Sequence, residues 1–208
     1  MISEEIKAIV FDLGNVLVDF DHTIAAKRIA SFCTKTPEEI FKLFFSSDIT
    51  GLFEEGKLAP EEFFLKVKEM LGLKLSYQGF VPIWNEIFYL SPQNRLVYSL
   101  ANSLRADYKV ALISNINILH YEYLKKHYPV FNVFYKVFTS CDLKAVKPNP
   151  LIYQKMLVEL EVSAESTFYT DDRIDLVQSA RELGIKSFLF RGIRELKEDL
   201  CNVGVTVN

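Results

Sequence analysis

Four groups of polar residues come at or just after the ends of apolar segments of this chain: Asp12, Ser114-Asn115, Lys147 and Asp171-Asp172. Three carboxylates in one place repel each other unless a cation lies among them, and Mg²⁺ prefers such hard oxygen ligands. A lysine beside a hydroxyl and a side-chain amide could bind a phosphate group. Because a carboxylate near a metal-bound phosphate can act as a nucleophile, these residues indicate metal-assisted phosphoryl transfer.

Short apolar segments are predicted to form the buried strands that position these residues: Lys7–Phe11, Lys109–Ile113, Val133–Thr139, Ser166–Tyr169 and Lys186–Phe190. Helical patterns lie between most of them, and two of these begin at Ser91-Pro92 and Asn149-Pro150. The alternation predicts an α/β fold with a Rossmann-like parallel sheet and helices on both faces. Since parallel strands end at one edge of a sheet, the four polar groups can converge there.

One interval, from about Asp21 to Tyr89, breaks the alternation and is predicted to contain helices and no strand. The last of these helices is predicted over Gln78–Leu90, and the many aromatic residues of the interval predict a small helical core. We therefore predict a small all-helical cap domain at residues 20–89, inserted after the first strand. Residues 1–19 and 90–208 are predicted to form the core domain.

Composition and charge exclude several classes of protein. The formal charge of -3 over 208 residues argues against a nucleic-acid surface, which needs clustered lysine and arginine. No apolar segment is long enough to span a bilayer, and the N-terminus lacks the pattern of a signal peptide. The scattered cysteines Cys33, Cys141 and Cys201 are typical of reduced thiols. We expect a cytoplasmic monomer or small homo-oligomer with no nucleic-acid or membrane partner.

The polar groups and their surroundings resemble the four motifs of the haloacid dehalogenase (HAD) superfamily of hydrolases. The matching segments, in order, are Phe11–Leu17, Ile113–Asn115, Val146–Pro148 and Tyr169–Asp172. The helical insertion lies where that family carries its cap, and four motifs in order are far more specific than one. The opening D-L-G-N-V is similar to that of bacterial sugar phosphatases of the glucose-1-phosphate type. The resemblance implies a Mg²⁺-dependent phosphatase that hydrolyses a small phosphorylated metabolite through an aspartyl-phosphate intermediate.

The resemblance also implies a set of metal ligands. Asp12 would be both the nucleophile and a Mg²⁺ ligand, and Gly14 would contribute only its backbone carbonyl. Asp172 would be the main distal ligand. Asp171 would be either a second ligand or a hydrogen-bonded support for the site.

A phosphate-binding set follows from the same resemblance. Ser114 and Asn115 would bind the transferring phosphoryl oxygens, and Lys147 would neutralise charge on the phosphate and on Asp12. Lys144 is the alternative lysine if the register of this loop differs. Asp175, which stands beside the position where the family often has Asn, is expected either to brace Lys147 or to face solvent.

Gly14 departs from the family pattern, in which most phosphatases carry an Asp acting as general acid and base. That catalysis is typically worth about 10²–10⁴-fold, so the proton must come from elsewhere or the leaving group must need little help. An easy leaving group would favour sugar 1-phosphates over the matching 6-phosphates. Substitute acids could be Asp19 or Asp21, although the simpler interpretation of this pair is as hinge residues. Glu54 or Glu55 could also serve: such glutamates are more often solvated than catalytic, but they lie in a predicted cap loop, where substrate contacts would come from.

Two other functions stay open from the sequence. A 2-haloacid dehalogenase also lacks the second Asp, but it needs no metal and lacks an acidic pair such as Asp171-Asp172. A catalytically weak, phosphate-binding member of the family is the second alternative. The intact Asp12, Lys147 and acidic pair argue against such a loss of turnover.

Overall fold

A five-stranded parallel sheet lies at the centre of the fold. The computed structural model describes residues 5–207, without the side chains of residues 45 and 46. The described residues form seven strands, of which five belong to the central sheet and two form a separate pair. They are β1 (Ala8–Phe11), β2 (Asp19–Phe20), β3 (Phe88–Tyr89), β4 (Lys109–Ser114), β5 (Lys136–Thr139), β6 (Thr167–Asp171) and β7 (Lys186–Leu189). The central sheet has the order β5-β4-β1-β6-β7, and its neighbouring strands all pair in parallel. This topology confirms the predicted parallel sheet.

Helices cover both faces of this sheet and form the inserted segment. They are α1 (His22–Ala30), α2 (Pro37–Ser46), α3 (Asp48–Glu54), α4 (Pro60–Leu71), α5 (Tyr77–Asn85), α6 (Pro92–Leu104), α7 (Ile118–His127), α8 (Ser140–Leu143), α9 (Pro150–Leu160), α10 (Ile174–Glu182) and α11 (Ile193–Asn202). In β1, Ile9 and Phe11 pack with α6, α7 and α11, whereas Ala8 and Val10 pack with α9 and α10. Because alternate side chains of β1 are buried on opposite faces, the strand is apolar throughout.

The chain between Asp21 and Tyr89 contains one strand that the sequence pattern did not predict. Helix α5 ends at Asn85, so the predicted helix Gln78–Leu90 is too long. Strand β3 follows and pairs antiparallel with β2, which is formed where the chain leaves the core. This pairing satisfies backbone groups at both crossings between core and insertion, and a pattern within either segment alone cannot reveal it.

A separate aromatic core holds helices α1–α5 together. Phe53 and Phe63 are fully buried and stacked, with ring centroids 4.2 Å apart, and Trp84 packs 4.9 Å from Phe63. This cluster is distinct from the two clusters that flank the sheet. It supports, as a proposal, the division into a cap at residues 20–89 and a core built from the remainder; residues 1–4 and 208 of that core lie outside the described residues.

A buried histidine links α7 to α5 of the inserted helices. His120 of α7 places Nε2 3.0 Å from the carbonyl oxygen of Trp84 in α5, and Nδ1 lies 3.0 Å from Nδ2 of Asn117. Since a carbonyl only accepts, Nε2 carries the proton and Nδ1 accepts from the Asn117 amide. Burial lowers the pKa of His120 to about 3, so the link is a neutral one. None of the helices in the described part of the chain has the length and apolar character needed to cross a bilayer.

Candidate active site

The carboxyl ends of β1, β4 and β6 line a cavity of about 720 Å³, and residues of α2 and α3 line it as well. Every residue that the sequence predicted for the site lines this cavity: Asp12, Gly14, Ser114, Asn115, Lys147, Asp171 and Asp172. Parallel pairing of β1 with both β4 and β6 brings the three strand ends side by side. The predicted convergence of these residues at one edge of the sheet is therefore observed, while their chemical roles are a separate question.

Lys147 lies at the centre of the site, where it is 3% exposed. Its Nζ atom is 2.6 Å from Oδ1 of Asp12 and 2.6 Å from Oδ2 of Asp171, and it also approaches the Tyr169 hydroxyl at 3.1 Å. Burial by itself lowers the pKa of Lys147, but the two carboxylates outweigh it and raise this pKa above its ordinary value. Lys147 is therefore a fixed, buried cation between two acidic groups.

The carboxylates of the site carry more negative charge than Lys147 can balance. Oxygen atoms of Asp12, Asp171 and Asp172 all lie within 4.8 Å of one another. Burial, opposed by the Lys147 ammonium, raises the pKa of Asp12 from 3.8 to about 7. Burial also raises the pKa of Asp172, against the hydrogen bond from Asn15. A group of hard oxygen donors with excess negative charge has the chemistry that suits a divalent cation such as Mg²⁺.

The three acidic residues differ in how far the protein already engages them. Oδ1 of Asp171 accepts from the backbone N–H of Arg173 at 2.9 Å, and its Oδ2 accepts from both Lys147 and the Tyr169 hydroxyl. Asp12 meets Lys147 only through Oδ1, and its other carboxylate oxygen accepts no hydrogen bond from residues 5–207. Asp12 therefore keeps one oxygen available for chemistry, whereas both oxygens of Asp171 are occupied.

Asn115 holds the backbone of Lys147. Its Oδ1 accepts from the Lys147 N–H at 2.7 Å, and its Nδ2 donates to the Lys147 carbonyl at 2.9 Å. The predicted contact of Asn115 with phosphoryl oxygens stays a prediction, but this clamp gives it a positioning role that the motif did not indicate. Ser114 is 4% exposed, and among the described residues its hydroxyl makes a single, long contact of 3.4 Å with the Asn115 carbonyl.

Lys144 and Asp175, the alternatives that the sequence left open, both lie outside the acidic cluster. Lys144 is exposed, and its Nζ donates to the Gly56 carbonyl at 2.9 Å instead of entering the acidic cluster. Asp175 pairs with Arg173 on the surface, with one contact of 2.6 Å. The suggestion that Asp175 braces Lys147 is wrong, because Asp171 occupies that position.

The four residues considered as substitutes for the missing general acid divide into two that lie away from the cavity and two that line it. Asp21 accepts from the Thr23 N–H at 2.8 Å and caps α1, and Asp19 accepts from Asn94 at 3.0 Å. Neither aspartate lines the cavity, which agrees with their interpretation as hinge residues. Glu54 and Glu55, at the end of α3, both line it.

Tyr169, Asn15 and Phe20 are among the residues of the site that the sequence analysis missed. Tyr169 lies two positions before Asp171 in β6, so both side chains share one face, a periodicity that could have indicated it. Asn15 adopts a left-handed φ of 55° and donates from Nδ2 to Asp172 at 2.8 Å. The Phe20 ring fills the space beside Gly14, where a Cβ atom would lie 2.7 Å from its Cε1. No local pattern indicates that contact.

Comparison with known proteins agrees with this geometry. A family model described as haloacid dehalogenase-like hydrolase matches residues 6–184. A D-ribitol-5-phosphate phosphatase of Bacteroides thetaiotaomicron is 28% identical over 189 residues, covering 88% of this chain and 91% of that protein. A HAD family enzyme of the same organism, solved in complex with magnesium and inorganic phosphate, is 29% identical with a TM-score of 0.78, over 88% of this chain and 93% of that one. A protein of Porphyromonas gingivalis that is described as a predicted HAD-like family hydrolase is 25% identical with a TM-score of 0.79, over 95% of this chain and 98% of that one.

Proposed function

Because this chain belongs to the haloacid dehalogenase-like hydrolase family, we propose that it is a Mg²⁺-dependent phosphatase. Its substrate would be a small phosphate monoester, such as a sugar or polyol phosphate. The observation that carries this proposal is the buried Lys147 between Asp12 and Asp171 in the lining of the cavity. The similarity to a D-ribitol-5-phosphate phosphatase and to an enzyme that binds magnesium and phosphate supports the same reaction.

The residues fit a magnesium ion. Asp12, Asp172 and the Gly14 carbonyl would hold it, and the engaged oxygens of Asp171 favour the supporting role over that of a second ligand. When bound, the ion supplies positive charge that offsets the repulsion between the carboxylates and the phosphate. Asn15 would orient Asp172 through the hydrogen bond that it already donates.

The chain's own residues can carry out transfer in two steps. The free carboxylate oxygen of Asp12 attacks phosphorus, the ester P–O bond breaks, and the phosphoryl group is left on Asp12. Lys147 stays next to Oδ1 of Asp12 and offsets the charge that gathers on the phosphoryl oxygens, which the Ser114 hydroxyl would also contact. Water then attacks the phosphoryl group, which releases inorganic phosphate and restores Asp12.

Assay of phosphate esters with and without Mg²⁺ tests this function. We expect the protein to hydrolyse p-nitrophenyl phosphate and at least one member of a panel of sugar and polyol phosphates that includes D-ribitol 5-phosphate. Removal of divalent ions by EDTA should lower turnover by roughly 10²-fold or more, since the three carboxylates then repel the phosphate, and added Mg²⁺ should restore it.

The same panel should contain 2-haloacids. Halide release that persists in EDTA would support a dehalogenase and contradict the proposal. A protein that binds inorganic phosphate but turns over no ester of the panel would instead be a phosphate-binding member of the family.

A further inference from the structure

An acidic residue of the inserted helices lines the cavity that Asp12 also lines. Glu54 is the last residue of α3, and it lines the main cavity together with Asp12 and Lys147. It also lines a small recess of about 60 Å³ that adjoins Gly14 and Ser114. Glu54 therefore faces the space next to the nucleophile where the leaving group of a bound ester must lie.

Contacts between cap and core fix the position of Glu54. The Ser140 hydroxyl donates to the Glu54 carbonyl at 2.6 Å and accepts from the Ile116 N–H at 2.9 Å, so one side chain ties the end of α3 to the loop after β4. The carbonyl of Gly56, two residues after Glu54, accepts a hydrogen bond from the Lys144 side chain. At Gly56, whose φ is 66°, a Cβ atom would lie 2.4 Å from the Cys141 carbonyl. Backbone contact this close leaves little freedom for the end of α3.

Of the acidic residues that line the cavity, Glu54 and Asp48 have carboxyl groups that make no hydrogen bond or ion pair with the described residues, and of these two Glu54 also lines the recess beside Gly14. Glu55 forms an ion pair with Lys57 at 2.8 Å, and Asp172 accepts from Asn15. Among residues 5–207, no hydrogen bond or ion pair occupies the Glu54 carboxyl group. His22 and His120 are the other titratable groups of the recess. Burial lowers the pKa of His22 to about 4 and that of His120 to about 3, so both are neutral imidazoles near pH 7.

The surroundings of Glu54 favour its protonated form. Burial raises the pKa of Glu54 from 4.5 to about 7, against the weaker opposing effect of Arg173 and Lys147 on the core side. The other charged groups that line the cavity near it are Asp48, Glu55, Asp12, Asp171 and Asp172, all of them acidic. A carboxyl group with such a pKa can both give up and take back a proton near neutral pH.

We propose that Glu54 is the general acid and base of this enzyme, supplied by the cap to a site in which Gly14 has no side chain; this inference rests on the proposed phosphatase function. As Asp12 attacks phosphorus and the P–O bond breaks, the Glu54 carboxyl group gives its proton to the departing oxygen, so that an alcohol leaves. The resulting carboxylate then takes a proton from the water that attacks the phosphoryl group on Asp12. Each cycle ends with Glu54 protonated again, so protons balance.

Leaving groups of different basicity test this role in a Glu54→Gln variant. An alkyl phosphate, such as the best sugar or polyol phosphate of the panel, releases an alkoxide that needs a proton, whereas p-nitrophenyl phosphate releases a stable phenolate. We expect kcat/KM, which reports steps up to P–O cleavage, to fall about 10²–10³-fold for the alkyl ester. For p-nitrophenyl phosphate it should fall less than about 10-fold, which also shows that the variant is folded.

The pH profile gives a second readout. In the wild type, kcat/KM for the alkyl ester should decline above about pH 7, because Glu54 loses the proton that the leaving group needs. Glu54→Gln should lack this decline. The matched control is Glu55→Gln, which removes the neighbouring carboxylate of the same cavity. It should change kcat/KM for the two esters by the same factor and keep the decline above about pH 7.

The remaining outcomes would overturn either the assignment of Glu54 or the proposed function. An equal loss of kcat/KM for both esters, or no loss for either, would overturn the assignment of Glu54, as would the leaving-group pattern appearing in Glu55→Gln. A wild-type protein inert on both esters would overturn the proposed function itself and this inference with it.

Discussion

An Asp12→Asn variant should lose hydrolysis of every phosphate ester that the wild type turns over, by about 10⁴-fold or more, as expected when the nucleophile of a covalent mechanism is removed. The amide has nearly the shape of the carboxylate, so the packing at the end of β1 is retained. Its nitrogen carries no lone pair available for attack on phosphorus, and the residue no longer contributes charge to the acidic cluster. Release of inorganic phosphate at saturating substrate measures the effect.

Asp175→Asn is the matched control for this substitution. Asp175 is a surface carboxylate paired with Arg173 and takes no part in the acidic cluster. Its loss should change kcat and KM by less than about threefold, since exposed ion pairs contribute little. Asp12→Asn with more than a tenth of wild-type turnover would exclude Asp12 as the nucleophile.

Replacing Lys147 by Met should affect both stability and activity. The substitution keeps an unbranched side chain, one atom shorter than that of lysine, but leaves the buried carboxylates of Asp12 and Asp171 without their shared cation. Breaking a buried ion pair by removing one partner typically costs roughly 3–5 kcal/mol of unfolding free energy. Turnover should fall about 10²–10³-fold, because the charge on the phosphoryl group is then less well stabilised. Urea denaturation in EDTA and steady-state kinetics in Mg²⁺ measure the two effects.

A surface lysine provides the control for the effect of Lys147→Met on stability. Lys125→Met removes a lysine that makes a surface contact with Glu122, and its urea midpoint should match that of the wild type. Adding Asp171→Asn to Lys147→Met should recover part of the lost stability, because one uncompensated charge disappears. A Lys147→Met protein as stable as Lys125→Met would show that Lys147 does not balance the acidic cluster.

Sequence patterns were sufficient to locate the floor of the site. Asp12, Lys147 and Asp171 follow apolar strands or their loops, and the parallel order of those strands brings their ends together. Local start signals were equally reliable, as shown by Ser91 and Asn149, which cap the helices predicted to begin there. These features depend on short segments whose backbone preference agrees with the final fold.

Contacts between distant segments could not be predicted in the same way. The pairing of β2 with β3 depends on where the chain enters and leaves the cap, and the bond from Ser140 to Glu54 joins residues 86 positions apart. The contact of Phe20 with the space beside Gly14 is another product of packing. Such contacts depend on how the inserted helices pack against the rest of the fold. The hydrophobic periodicity of one segment carries no information about that packing.

Gly14 therefore has a different significance once the cap is in place. The sequence left open an easy leaving group or an acid from the cap, and the position of Glu54 supports the second. An acid at this position would allow hydrolysis of a primary ester, the kind of bond in the D-ribitol 5-phosphate that gives the Bacteroides relative its name. A preference for sugar 1-phosphates over 6-phosphates stays a prediction.

Trapping the phosphoryl group on the protein tests the proposed function most directly. Wild-type protein mixed with Mg²⁺ and substrate is quenched in acid during turnover, digested with pepsin and examined by mass spectrometry. We predict one added phosphoryl group on the peptide that contains Asp12, lost on mild alkaline treatment as an acyl phosphate should be, and absent from Asp12→Asn. Turnover with no phosphorylated peptide, or with the phosphoryl group on another residue, would contradict the assignment of Asp12 as the nucleophile.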